Sequence, residues 1–408
     1  MNLKDPFLIV LLIMSNSCTV HQENTGPGHY GYDREFLQKH HNDLVELCDS
    51  SGNARILICP AYQGRVMTST ANGDSGFSFG WINYKLIESG ILQKHMNAYG
   101  GEERLWLGPE GGQFSYYFDA GNEFVFEHWQ VPPVMDTDPF LMTRKEEKKV
   151  YFEKSAVLKN YSGKIFGIRI TRSVELVEHQ KATELLNISI PPSIKMVAYQ
   201  SKNILFNQGK MAWTSETGTP SLWMLCMFLP SQGTTVVIPF KGNSQDKGSV
   251  INDNYFGKVP PDRLVIYDSI IFFKADGKQR GKIGLSYNHA KDLLGSFDET
   301  SGSLTILQFE KPGTENPYVN SLWQIQEKPF TGDVINSYND GPVKDGTQMG
   351  PFYELECSSP AALLEPGDSI VHTQRIYHFQ GDENALDLIC QEILGVGIRE
   401  IKDIFPVE

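Results

Sequence analysis

Two carboxylates two residues apart are the strongest chemical signal in the sequence. Glu354 and Glu356 lie in an alternating segment, Tyr353 to Cys357, that is predicted to be a strand. Side chains alternate between the two faces of a strand, so both carboxylates are expected on one face. Two carboxylates placed in this way can share a proton, which raises the pKa of one of them, or can hold a cation. The alternative is that both lie on a solvated sheet face.

Four further charged residues stand where they can reach a ligand. The guanidinium of Arg104 can bind hydroxyls or a carboxylate, or it can make a structural ion pair with a nearby glutamate. Glu110 lies in a glycine-rich loop over residues 108–112, which can approach a ligand closely or can serve only to make turns. Lys282 begins a predicted strand after a turn, and Glu310 ends another.

Histidine is the side chain that most readily moves protons near neutral pH. His128 lies among aromatic residues near the end of a predicted strand over 123–129, which makes it a catalytic candidate. The alternative for His128 is a hydrogen-bonded residue of the core or the rim. The sequence contains no nucleophilic serine elbow, no His-Glu-x-x-His, no paired Cys-x-x-Cys and no phosphate-binding loop. We therefore expect no metal and no cofactor.

The elements that must position these residues are mainly strands. Helical spacing is expected only near the ends of the chain, over 33–48 with Asp33 as its cap, and over 384–402 with interruptions at Gly395 and Gly397. Strands at high density without helices between them indicate an all-β sandwich or barrel. From residue 123 onward the predicted strands are 123–129, 149–159, 166–176, 183–190, 223–228, 234–240, 264–273, 282–287, 304–309, 353–357 and 369–379.

The composition agrees with a β-rich globular protein. The chain has 408 residues, 11% of them aromatic, with 37 Gly and 22 Pro, a mixture that favours strands and turns. A compact chain of this size buries roughly three quarters of its unfolded surface, so one large domain can have a sizeable core. The net charge is −13, which argues against a nucleic-acid partner because such partners require clustered Lys and Arg.

The N-terminus is typical of an exported protein. An apolar run over residues 7–14 precedes Cys18 and is too short to span a bilayer permanently. We expect a signal peptide over 1–17, a lipidated tether over 18–29 that begins at the Cys18 thiol, and a single domain over 30–408. Plain secretion is the alternative to lipidation. The other five cysteines are odd in number and are not expected to form a disulfide framework.

Several segments resemble the galactose mutarotase-like superfamily of aldose epimerases and related sugar proteins. Residues 59–66 (CPAYQGRV) are similar to the strand pair that opens the family fold, and residues 97–110 (NAYGGEERLWLGPE) to the Asn/Gly/Arg element beside its sugar pocket. Residues 350–356 (GPFYELE) look like the strand that carries the catalytic glutamate, and residues 364–379 contain a turn and strand like the final ones. The Gly-Gly-x-x-Arg-Leu-Trp element resembles that of uncharacterised lipoprotein relatives more than that of authentic epimerases.

The resemblance implies a fold and a catalytic pair. The fold is a large antiparallel β-supersandwich with a pocket on its concave face. Glu354 is implied as the general base, since it follows Gly350 as the family glutamate follows its glycine. Opening a pyranose ring also needs an acid that protonates the ring oxygen. In the family this acid is a mid-chain histidine, which residues 207–214 lack, so His128 or the second carboxylate, Glu356, is the candidate partner.

The same resemblance suggests which residues bind the sugar. Tryptophans are candidate platforms because the C–H faces of a pyranose stack on indole rings, and Trp213 is preferred because it lies in a polar segment. A tryptophan in a β-protein is nevertheless more often a core residue. The substrate-binding candidates are Asn97, Arg104, Glu110, Trp213, Lys282 and Glu310.

Three functions are compatible with this sequence. The first is a cofactor-free sugar epimerase or mutarotase-like enzyme with a carboxylate base, and the second is a non-catalytic glycan-binding lipoprotein. The third, a glycoside hydrolase or polysaccharide lyase, is less favoured because no large helical domain precedes the predicted strands. In each case the expected ligand is a mono- or oligosaccharide, and membrane contact is expected only through a lipid anchor in a bacterial cell envelope.

Overall fold

The computed structural model describes residues 26–242, 250–314 and 316–406. The predicted signal peptide, the predicted lipidation site at Cys18 and most of the predicted tether lie outside these ranges. Among the described residues, none of the helices is both long enough and apolar enough to cross a membrane.

Strands dominate the described part of the chain, as predicted. The strands are β1 Val45–Cys48, β2 Arg55–Cys59, β3 Arg65–Thr70, β4 Arg104–Gly108, β5 Leu141–Lys145, β6 Lys149–Lys159, β7 Ile165–Leu176, β8 Lys195–Asn207, β9 Ser221–Phe228, β10 Thr234–Pro239, β11 Ile251–Asn252, β12 Leu264–Tyr267, β13 Ile270–Lys274, β14 Gly281–Ser286, β15 Leu293–Asp298, β16 Ser303–Phe309, β17 Asp333–Asn339, β18 Tyr353–Ser358 and β19 Ser369–Gln380. The α-helices are α1 Tyr30–His40, α2 Tyr84–Ser89, α3 Pro133–Asp136, α4 His179–Leu186, α5 Glu383–Leu394 and α6 Ile398–Ile404.

Antiparallel pairing joins the strands into three sheets. The smallest has the order β1-β2-β3, and the largest has ten strands in the order β12-β13-β10-β15-β16-β19-β8-β7-β6-β5. The third has six strands in the order β11-β14-β17-β18-β9-β4. The predicted fold class, an all-β antiparallel supersandwich with short helices near both ends, is confirmed.

The main core lies between the six-stranded and the ten-stranded sheets. The Tyr353 hydroxyl on β18 lies 2.8 Å from the Ser296 hydroxyl on β15, so these two side chains meet across the interior. The amide of Gln374 on β19 contacts the sulfur of Cys226 on β9 at 3.3 Å. These contacts fix which face of β18 points inward, and they leave its other face for the site described below.

Two helices at the C-terminal end cover the outer face of the ten-stranded sheet. Leu386 and Ile389 of α5 and Ile401 of α6 belong to a buried apolar cluster that also contains Tyr377 and Phe379 of β19. Gly395 ends α5 with a φ of 76°, a left-handed conformation that glycine adopts without steric cost. The predicted interruption of the C-terminal helix is therefore confirmed.

Three predicted elements have a different secondary structure, and the strand expected over 264–273 is instead the antiparallel pair β12 and β13. The helix expected over 33–48 ends at His40, because residues 45–48 pair with β2 instead, and Asp33 lies inside the first turn rather than capping it. Residues 126–128 form a 3-10 helix where a strand was expected, with the N–H of Trp129 bonded to the carbonyl of Phe126. Residues 179–186 form α4 rather than the strand expected over 183–190. In each case local hydrogen bonding or sheet pairing outweighed the apolar pattern on which the prediction rested.

All five cysteines in the described residues are free thiols, in agreement with the expectation that no disulfide framework forms. Cys59 and Cys226 are fully buried, as small apolar residues would be.

Candidate functional site

Four charged residues share one face of the six-stranded sheet. We call Arg104, Lys282, Glu354 and Glu356 the charged quartet. Cross-strand partners in an antiparallel sheet lie on the same face, and Leu225 of β9 is opposite both Arg104 and Glu356. Lys282 and Glu354 are placed on that face because both are cross-strand neighbours of Tyr338. The predicted alternation of β18 thus places its two glutamates side by side and away from the sandwich interior.

The quartet forms two ion pairs. The Nη2 atom of Arg104 lies 2.5 Å from Oε1 of Glu354, and the guanidinium stands 4.4 Å from the ring centre of Trp106. Nζ of Lys282 lies 2.9 Å from Oε2 of Glu356. The indole N–H of Trp223 donates to the same oxygen at 2.9 Å. Each carboxylate is therefore matched by a cation, and both cations lie over aromatic rings.

Burial changes the protonation of one carboxylate. Glu354 has only 4% of its surface exposed, and this burial raises its pKa from 4.5 to about 7, with the negative charge of Glu356 acting in the same direction. Arg104 and Lys282 oppose the rise without cancelling it. Glu354 is therefore divided between its neutral and charged forms near neutral pH. In Glu356, Oε1 is buried and has no hydrogen-bond partner among the described residues.

A cleft of about 1550 Å³ opens above this face of the sheet. Lys282 is the only quartet member in its lining, together with Tyr338, the cross-strand neighbour of Glu354. Arg104, Glu354 and Glu356 lie beneath the cleft surface and are buried. The quartet therefore forms a charged layer under the cleft rather than its wall.

Glu110 is the acidic side chain that stands in the cleft wall close to the quartet. Its backbone N–H donates to the Ser321 hydroxyl at 3.1 Å, and its carbonyl accepts from Ser115, so the loop that carries it is held on two sides. Burial raises the pKa of Glu110, and the charge of Glu356 adds to the rise. Lys282 and Trp323 lower the pKa of Glu110, but burial outweighs them.

His95 is a cleft residue that the sequence analysis did not select. Its Nδ1 lies 2.6 Å from the carbonyl oxygen of Trp129, and the ring packs against Phe126 with a centroid distance of 4.6 Å. A carbonyl only accepts hydrogen bonds, so Nδ1 carries the hydrogen and the neutral ring keeps its lone pair on Nε2. In the sequence, the only indication that His95 belongs to the site was its position two residues before Asn97, the first residue of the element over 97–110.

Aromatic rings form one wall of the cleft. Trp129 and Trp323 both line it, with ring centres 6.0 Å apart and planes inclined by 27°. Phe126 continues the row, 5.9 Å from Trp129 at an inclination of 24°. The sequence analysis preferred Trp213 instead. It could not show that the turn that carries Trp129 and the loop that carries Trp323 lie next to each other.

Two predicted site residues lie beside the cleft rather than in its lining. Asn97 is buried, and its side-chain amide donates to Asp136 at 2.7 Å, so it anchors the segment that carries His95. His128 is exposed, and its Nδ1 lies 3.1 Å from the carbonyl oxygen of Glu123. Its neighbours in the 3-10 helix and Trp129 line the cleft, whereas His128 does not.

Two others lie elsewhere in the fold. Trp213 has 4% of its surface exposed and packs edge-on against Phe166, so its ring faces are occupied by the core and not by the cleft. Glu310 pairs with Arg375 of β19, on the ten-stranded sheet, at 2.8 Å. The structure therefore brings together Arg104, Glu110, Lys282, Glu354 and Glu356 and separates Trp213 and Glu310 from them.

The double glycine before Arg104 allows the chain to pass close to its neighbours. Gly100 and Gly101 have φ values of 92° and 111°. A Cβ on Gly100 would lie 2.0 Å from the carbonyl oxygen of Trp81, and one on Gly101 would lie 2.5 Å from Cδ of Arg65. Only glycine fits both the backbone conformation and the space, which explains the Gly-Gly-x-x-Arg spacing.

Comparisons with known proteins identify a family and a set of distant structural neighbours. The profile of a family of unknown function (DUF6786) matches residues 28–405. A search of curated proteins found no match.

Solved structures with similar folds include a protein from Synechocystis sp. PCC 6803, which is 13% identical with a TM-score of 0.49 and covers 82% of this chain and 95% of its own. A galactose mutarotase related enzyme from Lactobacillus acidophilus is 7% identical with a TM-score of 0.47, covering 82% and 97%. A galactose mutarotase-like protein from Lactobacillus casei is 10% identical with a TM-score of 0.44, covering 82% and 99%.

Proposed function

Because this chain belongs to a family of unknown function (DUF6786), we propose its function from the chemistry of its cleft: a cofactor-free sugar epimerase or mutarotase-like enzyme. The ligand is a mono- or oligosaccharide. The volume of about 1550 Å³ exceeds that of a site for a drug-sized ligand, roughly 300–1,000 Å³, and accommodates more than one sugar ring.

The observation that carries the proposal is the position of Glu110. Glu110 lines the cleft together with Lys282 and Trp323, and burial raises the pKa of its carboxyl group. A carboxyl group that keeps its proton closer to neutral pH is suited to act as a general acid. The ring of Trp323, which is only partly buried and is backed by Trp129, offers an apolar surface for pyranose C–H groups beside it.

Anomer exchange needs an acid and a base, and the cleft offers one of each. In the ring-opening step, Nε2 of neutral His95 takes the proton of the anomeric hydroxyl. The bond between the anomeric carbon and the ring oxygen breaks, and the ring oxygen receives the proton of Glu110. Rotation of the aldehyde and the reverse transfers then close the ring with the opposite configuration. Both residues end in their initial protonation states.

The quartet has a supporting role in this proposal. Glu354, the base expected from the sequence, does not line the cleft and is paired with Arg104, so we place proton transfer on the residues that line the cleft. Glu356 and Lys282 set the electrostatic potential at Glu110, since their charges respectively raise and lower its pKa.

A ligand screen followed by an exchange assay tests the function. Thermal-shift measurements with mono- and disaccharides and uronic acids identify ligands, and polarimetry on those ligands measures anomer exchange. We expect Glu110→Gln and His95→Asn each to slow exchange by about 10²–10⁴-fold, the usual contribution of one proton-transfer group. Glu127→Gln, which changes another carboxylate in the cleft lining, and His128→Asn are the matched controls and should retain exchange.

Two results would overturn the assignment. Exchange that survives Glu110→Gln and His95→Asn would remove the proposed pair. Loss of exchange in Glu354→Gln or His128→Asn, with Glu110→Gln active, would return catalysis to the residues expected from the sequence.

A non-catalytic glycan-binding protein is the second candidate. It is favoured by the ion pair between Arg104 and Glu354, because a carboxylate held in this way beneath the surface is not free to exchange protons with a ligand. Saturable sugar binding with no acceleration of anomer exchange at any pH would support this candidate over the enzyme.

The cell-envelope location is a separate proposal. We propose that Cys18 is lipidated after removal of residues 1–17 and that the protein is anchored to a bacterial membrane. Metabolic labelling with a radioactive fatty acid should label the wild type but not Cys18→Ser. If the wild type is not labelled and is found in the soluble fraction, the result would instead indicate plain secretion.

A further inference from the structure

Three side chains of different chemistry meet at the edge of the three-stranded sheet. His41, Asp43 and Cys59 each bring one ligand atom to within 4.8 Å of the other two. His41 and Asp43 lie in the segment between α1 and β1, and Cys59 is the last residue of β2. None of the three lines the cleft, so this cluster is independent of the proposed sugar site.

Each member of the cluster is held in place by a different part of the chain. The His41 ring lies edge-on to Tyr62, with ring centres 4.5 Å apart, and its Nε2 atom is buried without a hydrogen-bond partner among the described residues. Cys59 is fully buried at the end of β2, and this burial raises the pKa of its thiol to about 12. A bound cation would stabilise the thiolate, which is the form that binds metals.

Asp43 completes the set from the solvent side. Its side chain is exposed, whereas Cys59 is fully buried, so the cluster extends from the surface into the core. An unpartnered imidazole nitrogen next to a buried thiol is unfavourable in an apolar environment, and a shared cation would satisfy both groups.

We propose that His41, Asp43 and Cys59 bind one zinc-like divalent cation, with water in the fourth position. A thiolate, an imidazole and a carboxylate together are typical zinc ligands, whereas Ca²⁺ and Mg²⁺ require oxygen ligands. The ion joins the segment after α1 to the end of β2. The sequence spacing does not indicate a metal site, because Cys59 follows Asp43 by sixteen residues and no second cysteine or histidine stands beside it.

Cobalt spectroscopy on the full chain, without a histidine tag and after chelator treatment, tests the ligand set. We expect about one equivalent of Co²⁺ to bind with a sulfur-to-metal charge-transfer band in the near ultraviolet, and Zn²⁺ to abolish this band by displacement. Cys59→Ala should lose the band. Cys390→Ala, which removes another buried thiol, and Cys18→Ser should retain it.

Affinity measurements keep the test valid if Cys59→Ala fails to fold. Asp43→Asn alters only an exposed side chain, and we expect it and His41→Asn to weaken Zn²⁺ binding at least about tenfold in competition with a chromophoric chelator. His40→Asn is the matched control and should bind normally. The proposal is overturned if the wild type binds no Zn²⁺, if Asp43→Asn and His41→Asn bind as tightly as the wild type, or if Ca²⁺ or Mg²⁺ competes equally.

Discussion

Lys282 lies between the cleft and Glu356, with its Nζ atom 2.9 Å from Oε2 of that glutamate. The lysine side chain lines the cleft, whereas the glutamate is fully buried. Because Oε1 of Glu356 has no hydrogen-bond partner among the described residues, the carboxylate depends on Lys282 and Trp223 to offset the cost of its burial.

Removal of the lysine charge should therefore destabilise the fold. We expect Lys282→Met to lower the free energy of unfolding by about 3–5 kcal/mol, because it leaves a buried carboxylate without a counter-charge. Urea unfolding measures the effect. Lys278→Met, at the preceding exposed turn, is the control and should change the free energy by less than about 0.5 kcal/mol. Equal stability of the two variants would contradict the dependence of Glu356 on Lys282.

A second prediction concerns the pH dependence of stability. The pKa of Glu354 is raised from 4.5 to about 7 in the folded protein, so the folded state binds more protons than the unfolded state between these values. Its stabilising contribution is complete below pH 4.5 and is lost as the pH rises through 7. We expect the wild type to lose stability relative to Glu354→Gln over this range, by at most about 1.4 kcal/mol per pH unit.

Urea midpoints measured from pH 4 to 8 test this prediction, because the difference between the two proteins isolates Glu354 from other carboxyls. Glu365→Gln, at an exposed position, should follow the wild-type curve. A difference of the opposite sign would mean that Arg104 outweighs burial.

A third prediction separates a buried ion pair from an exposed one on the same strand. Arg172 of β7 contacts both carboxylate oxygens of Glu103, at 2.9 and 2.6 Å, with both side chains fully buried. Arg169, three residues earlier, meets Glu153 at 3.4 Å near the surface. We expect Arg172→Met to cost about 3–5 kcal/mol and Arg169→Met less than about 1 kcal/mol in chemical unfolding. Similar costs would show that burial does not govern these pairs.

A fourth prediction concerns the double glycine. Gly101→Ala places a Cβ within 2.5 Å of the Arg65 side chain, whereas Gly90, also at positive φ, has no atom within 4 Å of its added Cβ. Both variants strain the backbone, but only Gly101→Ala also produces a clash. We expect Gly101→Ala to cost about 1–3 kcal/mol more than Gly90→Ala, measured by urea unfolding. If the two costs are equal, the close approach to Arg65 has no energetic effect.

The parts of the site that follow from strand alternation could be predicted from the sequence. Alternation in β18 correctly placed Glu354 and Glu356 on one face, and the turn before Lys282 correctly suggested that the lysine begins a strand. The alternative reading of Arg104, an ion pair with a glutamate, describes the contact that it makes with Glu354. These inferences succeeded because they depend on local geometry.

The parts that depend on loops could not be predicted. His95 enters the cleft because its segment is anchored through Asn97 to Asp136, a contact across 39 residues of sequence. The burial of Trp213 is decided by Phe166 on another strand, so its polar sequence neighbours were misleading. The proposed cation site exists only because β2 ends with Cys59 next to the segment after α1. Contacts between residues so far apart in the chain produce no periodicity or spacing that a single sequence could reveal.

The division between a buried charged layer and a cleft lined largely by loops has a consequence for how the protein can diversify. The quartet is tied to strand register, since a one-residue slip in β18 would bring both carboxylates into the sandwich interior. Much of the cleft lining instead belongs to the segments over 89–98, 110–129, 321–323 and 340–349, which lie mainly between the strands. Connecting segments of this kind generally tolerate substitution, insertion and deletion. Exchange of these loops is therefore expected to change which ligands the cleft of this protein can hold, while the quartet and its ion pairs stay in place.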